Sequence, residues 1–128
     1  MEQSGFQEFS ELKVWQEARS FKIFIICVRK MLPPEEKFCL NDQLKRSSRS
    51  IGAQISEGHG RYTYKDQLHF CIIAPGSLSE TLNHLYDALG EQYITQEIFD
   101  EGYKRYKHVQ RLLNGYMTFL RKQIEKGQ

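Results

Sequence analysis

Apolar residues recur along this chain at steps of three and four, the spacing that gathers them on one side of an α-helix. Trp15, Ala18, Phe21, Ile25, Val28 and Leu32 form the first series. Ser10 stands where an N-cap hydroxyl belongs, Glu11 follows at the positive end of the helix dipole, and Pro33-Pro34 should end the helix at Leu32. Leu44, Ser48, Ile51 and Ile55 form a second series, predicting a helix from Asn41 as its cap to about Glu57. Ser48 and the nearby Gly52 are small enough to let a neighbouring helix come close. Gly58-His59-Gly60 should close the helix, with glycine taking the left-handed conformation of a C-terminal cap.

Thr63-Tyr64-Lys65-Asp66 has the form of a capping box and opens a third helix, striped by Leu68, Cys71, Leu78, Leu82, Leu85 and Leu89. Pro75 falls inside that stripe. It removes one backbone hydrogen bond and crowds the preceding turn, so one kinked helix is expected. Gly90 ends the segment. Thr95 then caps a fourth helix carrying Phe99, Tyr106, Val109, Leu113, Leu120 and Ile124. No segment alternates like a strand, and the connections are as short as those between antiparallel neighbours. The pattern predicts an all-α, up-down-up-down antiparallel four-helix bundle over residues 10–126, preceded by a flexible segment, residues 1–9.

Some segments carry more apolar surface than one stripe uses. Ile23, Phe24, Ile25, Ile26, Cys27 and Val28 cover nearly the whole circumference of the first helix, and Phe70, Ile72 and Ile73 lie off the Leu68–Cys71 line. A small bundle has little interior for them, so a homo-oligomer is expected in preference to internal burial of wider faces.

With 128 residues, 40% apolar and 27% charged, the chain has the composition of one globular domain. The longest apolar run, Ile23 to Val28, is far short of the ~20 residues that cross a bilayer, so no membrane partner is expected. The N-terminus MEQSGFQEFSE has no secretory pattern, and Cys27, Cys39 and Cys71 are odd in number and far apart. Reduced thiols and a cytoplasmic location follow as expectations.

Enzyme chemistry finds no foothold. Gly58-His59-Gly60-Arg61 follows a helix and lacks the GK[ST] ending of a phosphate-binding loop, which leaves a structural cap. His59, His69, His84 and His108 make no HExxH and no zinc spacing with cysteine, so neither metal nor cofactor is expected. No Gly-x-Ser-x-Gly elbow occurs. Glu57 lies four residues before Arg61, and a structural pairing outweighs a role as general acid or base. No catalytic residue is expected.

Charge is more informative. Pro75 to Glu101 holds six acids and no Lys or Arg, whereas Gly102 to Gln128 holds seven bases and one acid, Glu125. Between Lys37 and Asp66 six bases stand against three acids. Lys45, Arg46 and Arg49 fall on the side of helix two away from its apolar stripe, Arg61 follows its cap, and Lys104, Lys107 and Arg111 share a line on helix four. Tyr62, Tyr64, Tyr103 and Tyr116 lie near these bases. Such a set can neutralise phosphates and stack unpaired bases. An ordinary solvated face would account for it equally well, and a salt bridge from Arg46 or Arg49 to the Glu80–Glu101 segment of another subunit is the competing structural role.

A resemblance adds to this reading. Leu12-Lys13-Val14-Trp15-Gln16 with Ala18, Gln43-Leu44-Lys45-Arg46-Ser47-Ser48-Arg49-Ser50-Ile51, Ile55-Ser56-Glu57-Gly58-His59-Gly60-Arg61 and Gly76-Ser77-Leu78-Ser79-Glu80 occur in that order, with Leu113-Asn114-Gly115 after them. In this combination the chain resembles the bacterial 23S rRNA intervening-sequence proteins, also called S23 ribosomal proteins, over about residues 9 to 124. Gln54 stands where that family usually has Asn, and Pro75 where a small or aliphatic residue is usual. The resemblance implies a four-helix bundle that assembles into a ring, commonly of five subunits, with no catalytic residues. It also implies association with nucleic acid, RNA or an RNA–DNA hybrid. Some such proteins are accessory factors of reverse transcriptases in diversity-generating retroelements, which makes a reverse transcriptase a candidate partner. A protein-interaction scaffold without direct nucleic-acid contact is the competing expectation.

Overall fold

The computed structural model describes residues 8–127. Residues 1–7 of the expected flexible segment lie outside that range. Phe9–Glu11 form a short 3-10 helix, followed by α1 (Lys13–Arg29), a second 3-10 helix (Pro34–Glu36), α2 (Leu40–His59), α3 (Tyr64–Cys71), α4 (Ile73–Gly90) and α5 (Gln96–Glu125). There is no strand among the described residues. The α3–α4 pair acts as one arm, so four antiparallel arms close a square: α1 packs on α2 and α5, and α3–α4 packs on both of the latter. Helices α2 and α5 sit on a diagonal and do not meet.

The apolar stripes supply the core. Phe21, Ile25 and Val28 of α1, Leu44, Ile51 and Ile55 of α2, Leu78 and Leu85 of α4, and Val109, Leu113 and Leu120 of α5 are all essentially inaccessible. Val14, not Trp15, takes the first core position of α1, and Trp15 lies half-buried at the edge. Met117 and Gly102 join the α5 stripe. A Cβ on Gly102 would come within 2.9 Å of Phe24 and 3.1 Å of Leu85, so this glycine lets α5 close on both neighbours.

Local signals were read correctly where the hydrogen bond is local. The Thr63 hydroxyl accepts from the Asp66 N–H at 3.1 Å and the Thr95 hydroxyl from the Ile98 N–H at 3.2 Å, each satisfying one free donor of a helix N-terminus. Two expected caps are corrected. Ser10 bonds its neighbour Glu8 and lies in the 3-10 turn, and α1 starts after Leu12. Asn41 lies inside α2 and turns back to α1, accepting from Arg29 Nε at 2.7 Å and donating to the Arg29 carbonyl at 3.3 Å. The α2 N-terminus uses Glu36 instead, whose carboxylate accepts from Leu40 N–H at 3.1 Å. Helix α1 stops at Arg29 rather than Leu32, although Leu32 still packs into the core.

The glycines at the end of α2 have a different reason from the expected one. Gly60 is right-handed, with φ −77°. Gly58 is needed for space, because a Cβ there would stand 2.8 Å from the Gln67 carbonyl oxygen of α3. Pro75 leaves a one-residue interruption and no loop. The break is at Ile72, with helical dihedrals (φ −63°, ψ −24°), next to Cys71, the residue whose carbonyl a proline at 75 cannot bond and crowds.

Small residues join α2 to α4. Ser77 donates to Ser50 at 2.8 Å, and Thr81 lies 2.8 Å from the Ser47 hydroxyl while donating to the Ser77 carbonyl at 2.9 Å. These hydroxyls are largely or wholly buried, and pairing them avoids the cost of buried polar groups left unbonded.

Candidate nucleic-acid interface

The diagonal placement of α2 and α5 decides how the expected basic residues can act. Lys45, Arg46 and Arg49 lie on α2, and Lys104, Lys107 and Arg111 on the outer side of α5, so the two groups stand on arms that do not touch. Arg46 stands 3.9 Å from Asp42, a loose exposed pair of the kind that contributes little. Arg61 is more committed: it pairs with Glu57 and its guanidinium lies 4.3 Å from the centre of the Phe70 ring. Glu57 thus makes the pairing with Arg61 that its spacing predicts. Arg111 donates to His108 Nδ1 at 2.7 Å, His108 Nε2 is 3.6 Å from Glu17, and Glu17 pairs with Lys13 at 3.1 Å. Lys45, Arg49, Lys104 and Lys107 make no ion pair among the described residues.

Around Arg49 the structure gathers residues that the sequence reading missed. A groove of about 480 Å³ runs between α1 and α2 and is lined by Trp15, Arg19, Lys22, Arg49, Gly52 and Ser56, with Phe9 at one end. None of its lining residues is acidic. Arg19 and Lys22 carry the i, i+3 spacing of the other basic lines, on a helix whose apolar positions dominate its pattern. Which helix would lie beside α1 was not available from spacing.

The tyrosines divide. Tyr62 is 98% exposed in the α2–α3 turn. Tyr64 packs edge-on against Phe119 with centroids 6.2 Å apart, and Tyr103 stacks on Phe99 at the same distance. Burial pushes the Tyr116 phenol up to about 12 and the Cys71 thiol up to about 11. At the opposite end of the bundle the Tyr93 hydroxyl donates to Glu36 at 2.8 Å, which raises that phenol to about 12. His84 is buried with Nε2 3.4 Å from Glu80. Among the described residues no group of three or more His, Cys, Asp or Glu is placed to hold a metal ion, and no helix is long and apolar enough to cross a membrane.

Apolar residues do remain outside. Ile23, Ile26 and Cys27 are exposed on α1, and Ile72 and Ile73 on the α3–α4 junction, which are opposite arms of the square.

The model of the 23S rRNA-intervening sequence protein family matches residues 10–115. The fold is similar to the crystal structure of a protein of unknown function from the S23 ribosomal protein family of Bacteroides thetaiotaomicron, with a TM-score of 0.74 and 28% identity, covering 81% of this chain and 97% of that one. No curated protein matches. The family match spans most of the bundle, with Lys45, Arg46, Arg49, Lys104, Lys107 and Arg111 inside it, and the chain belongs to the 23S rRNA-intervening sequence protein family.

Proposed function

We propose that the protein is a non-enzymatic, oligomeric nucleic-acid-binding protein that acts on RNA or an RNA–DNA hybrid in the cytoplasm. The observation that carries this reading is a group of cations without ion pairs on α1, α2 and α5 among the described residues, Arg19, Lys22, Lys45, Arg49, Lys104 and Lys107 among them. Unpaired cations are free to neutralise phosphates and release condensed counterions. The exposed apolar faces support assembly. They lie on opposite arms, α1 and α3–α4, and are not copies of each other, so contact between them is head-to-tail and closes into a ring when the rotation permits. A ring of five, as the family resemblance implies, repeats each basic face five times and multiplies weak contacts. Light scattering of the protein tests the ring, and a mass near 15 kDa at micromolar concentration would reject it. A salt series with structured RNA and an RNA–DNA hybrid tests the binding: affinity falls steeply with salt and depends little on sequence.

The second reading, a scaffold that docks a basic protein, is favoured by the cleft at the far end of the bundle. There Glu36, Asp87 and Glu91 gather beside Cys39 and Tyr86. A reverse transcriptase is the partner suggested by the resemblance. Retention of such a partner by a protein that binds no nucleic acid would favour this reading over the first.

A further inference from the structure

We infer that the groove between α1 and α2 holds one unpaired nucleotide of a single strand, its base against the Trp15 indole and its phosphate on Arg19, Lys22 and Arg49. This rests on the nucleic-acid reading above and narrows it from phosphate contact in general to a strand with unstacked bases. The groove's volume, about 480 Å³, lies within the range of small-molecule sites. Its lining brings three cations together with no acid to neutralise them, and none of the three has an ion pair among the described residues.

The aromatic wall is held in place from two sides. Phe9 meets Trp15 edge-on, with centroids 5.2 Å apart and planes at 71°. On α2 Gly52 lies against the indole edge, where a Cβ would stand 3.4 Å from Trp15 Nε1, in ordinary contact. Ala53 and Ser56 continue that low edge of α2 and keep the slot open for a planar ring. A duplex keeps its base faces stacked inside and offers phosphates alone, for which the outer face of α5 suffices. An aromatic ring beside clustered cations is the combination that takes up an unstacked base. An acidic peptide would use the cations and leave the indole without a role.

Trp15 is the single tryptophan of the chain, so its fluorescence reports on the groove directly. The whole protein is titrated with a fluorescently labelled uridine 12-mer, with a duplex of the same length and with a polyglutamate peptide. The 12-mer is expected to quench the indole, whereas the duplex binds without quenching. Ala53→Glu places an acid on an exposed position of the groove's edge without touching the core. It should weaken the 12-mer roughly tenfold, on the scale of one stacked base, and Trp15→Leu should do the same, while Trp15→Phe retains most of the affinity. Salt-dependent binding of the 12-mer with no quenching and no effect of Ala53→Glu overturns the groove assignment and leaves the broader reading standing. Failure of every nucleic acid to bind at low salt overturns both. Quenching by polyglutamate equal to that by the 12-mer reassigns the groove to an acidic peptide.

Discussion

Helix α2 turns small residues toward both of its neighbours, and the two sides behave in opposite ways. Toward α4, Ser47 and Ser50 meet Ser77 and Thr81, small against small, and the seam closes over a ladder of hydroxyl hydrogen bonds. Toward α1, Gly52 meets a large ring, Trp15, and together with Ala53 and Ser56 it lines a surface groove that also holds cations. Small residues bring helices together only when the partner is small as well and the polar atoms find each other. Against a bulky aromatic they leave a cavity. The closed seam holds the fold, and the other leaves a groove at the surface.

Overpacking separates the two sides most sharply. Ser47→Leu forces a branched side chain into the closed seam and removes a hydrogen bond of Thr81, which should cost roughly 3 kcal/mol. Ala53→Leu adds similar bulk on the groove side, where the position is exposed, and should change stability by less than about 0.5 kcal/mol. Urea unfolding at one protein concentration measures both, since assembly would make the midpoint concentration-dependent.

A pair of glycines six residues apart makes a finer test. Gly58→Ala places a methyl 2.8 Å from the Gln67 carbonyl and 3.1 Å from Phe70 Cβ, so backbone must move, and a loss of about 1–3 kcal/mol is expected. Gly52→Ala meets only the indole edge, at 3.4 Å, and the helix gains from replacing glycine. Its expected change is near zero or slightly favourable by the same urea assay. Equal losses at both sites would mean that the Trp15 side is as tightly closed as the α3 side.

The thiols extend the contrast between closed and open regions. Cys71 packs under Gly58, buried, with its pKa pushed up to about 11, while Cys27 and Cys39 are exposed. A thiol reagent at pH 8 should label Cys39 quickly and Cys71 only on unfolding, while labelling of Cys27, on the apolar face of α1, follows the state of assembly. Folding raises the pKa of Cys71 from 9.0 and of Tyr116 from 10.0, so the stability linked to both is full below pH 9. That stability is lost as pH rises through about 11 and then about 12. Tyr93, raised to about 12 by its hydrogen bond to Glu36, adds to the same loss. Urea midpoints measured at pH 7.5, 9.5 and 11 should therefore fall at the alkaline end, and a flat profile would place Cys71 and Tyr116 in contact with water and leave Tyr93 unpaired.

What the sequence made legible follows the range of the interaction concerned. The apolar stripes were readable because burial imposes its period on each helix separately. The Thr63 and Thr95 caps were readable because donor and acceptor lie three residues apart. Asn41 looked like a cap for the same reason and was not one, because Arg29 of another helix offered it two hydrogen bonds. The candidate site depends on neighbours in the same way. Arg49 was visible on α2, but Arg19 and Lys22 became its companions only when α1 was set beside α2. Lys104, Lys107 and Arg111 share a line with one another and a diagonal with Arg49, and no spacing within one helix contains that fact.

A small effect is expected at Pro75 as well. Replacement by Ala restores an N–H that can bond the Cys71 carbonyl, worth about 0.5–1.5 kcal/mol if the helix straightens freely. It is not free to do so. Helix α3 is fixed from two sides, by Tyr64 against Phe119 of α5 and by the approach of Gly58 to Gln67, while α4 is fixed by the hydroxyl ladder to α2. Straightening at Ile72 would lift α3 from one of these contacts, and the recovered bond would be offset by lost packing. Pro75→Ala should therefore shift stability by less than about 0.5 kcal/mol in either direction in urea unfolding. A gain above about 1 kcal/mol would show that proline alone bends the arm and that the contacts of α3 follow the bend. A loss of that size would show the reverse, that α3 needs the rigid turn in order to reach α5.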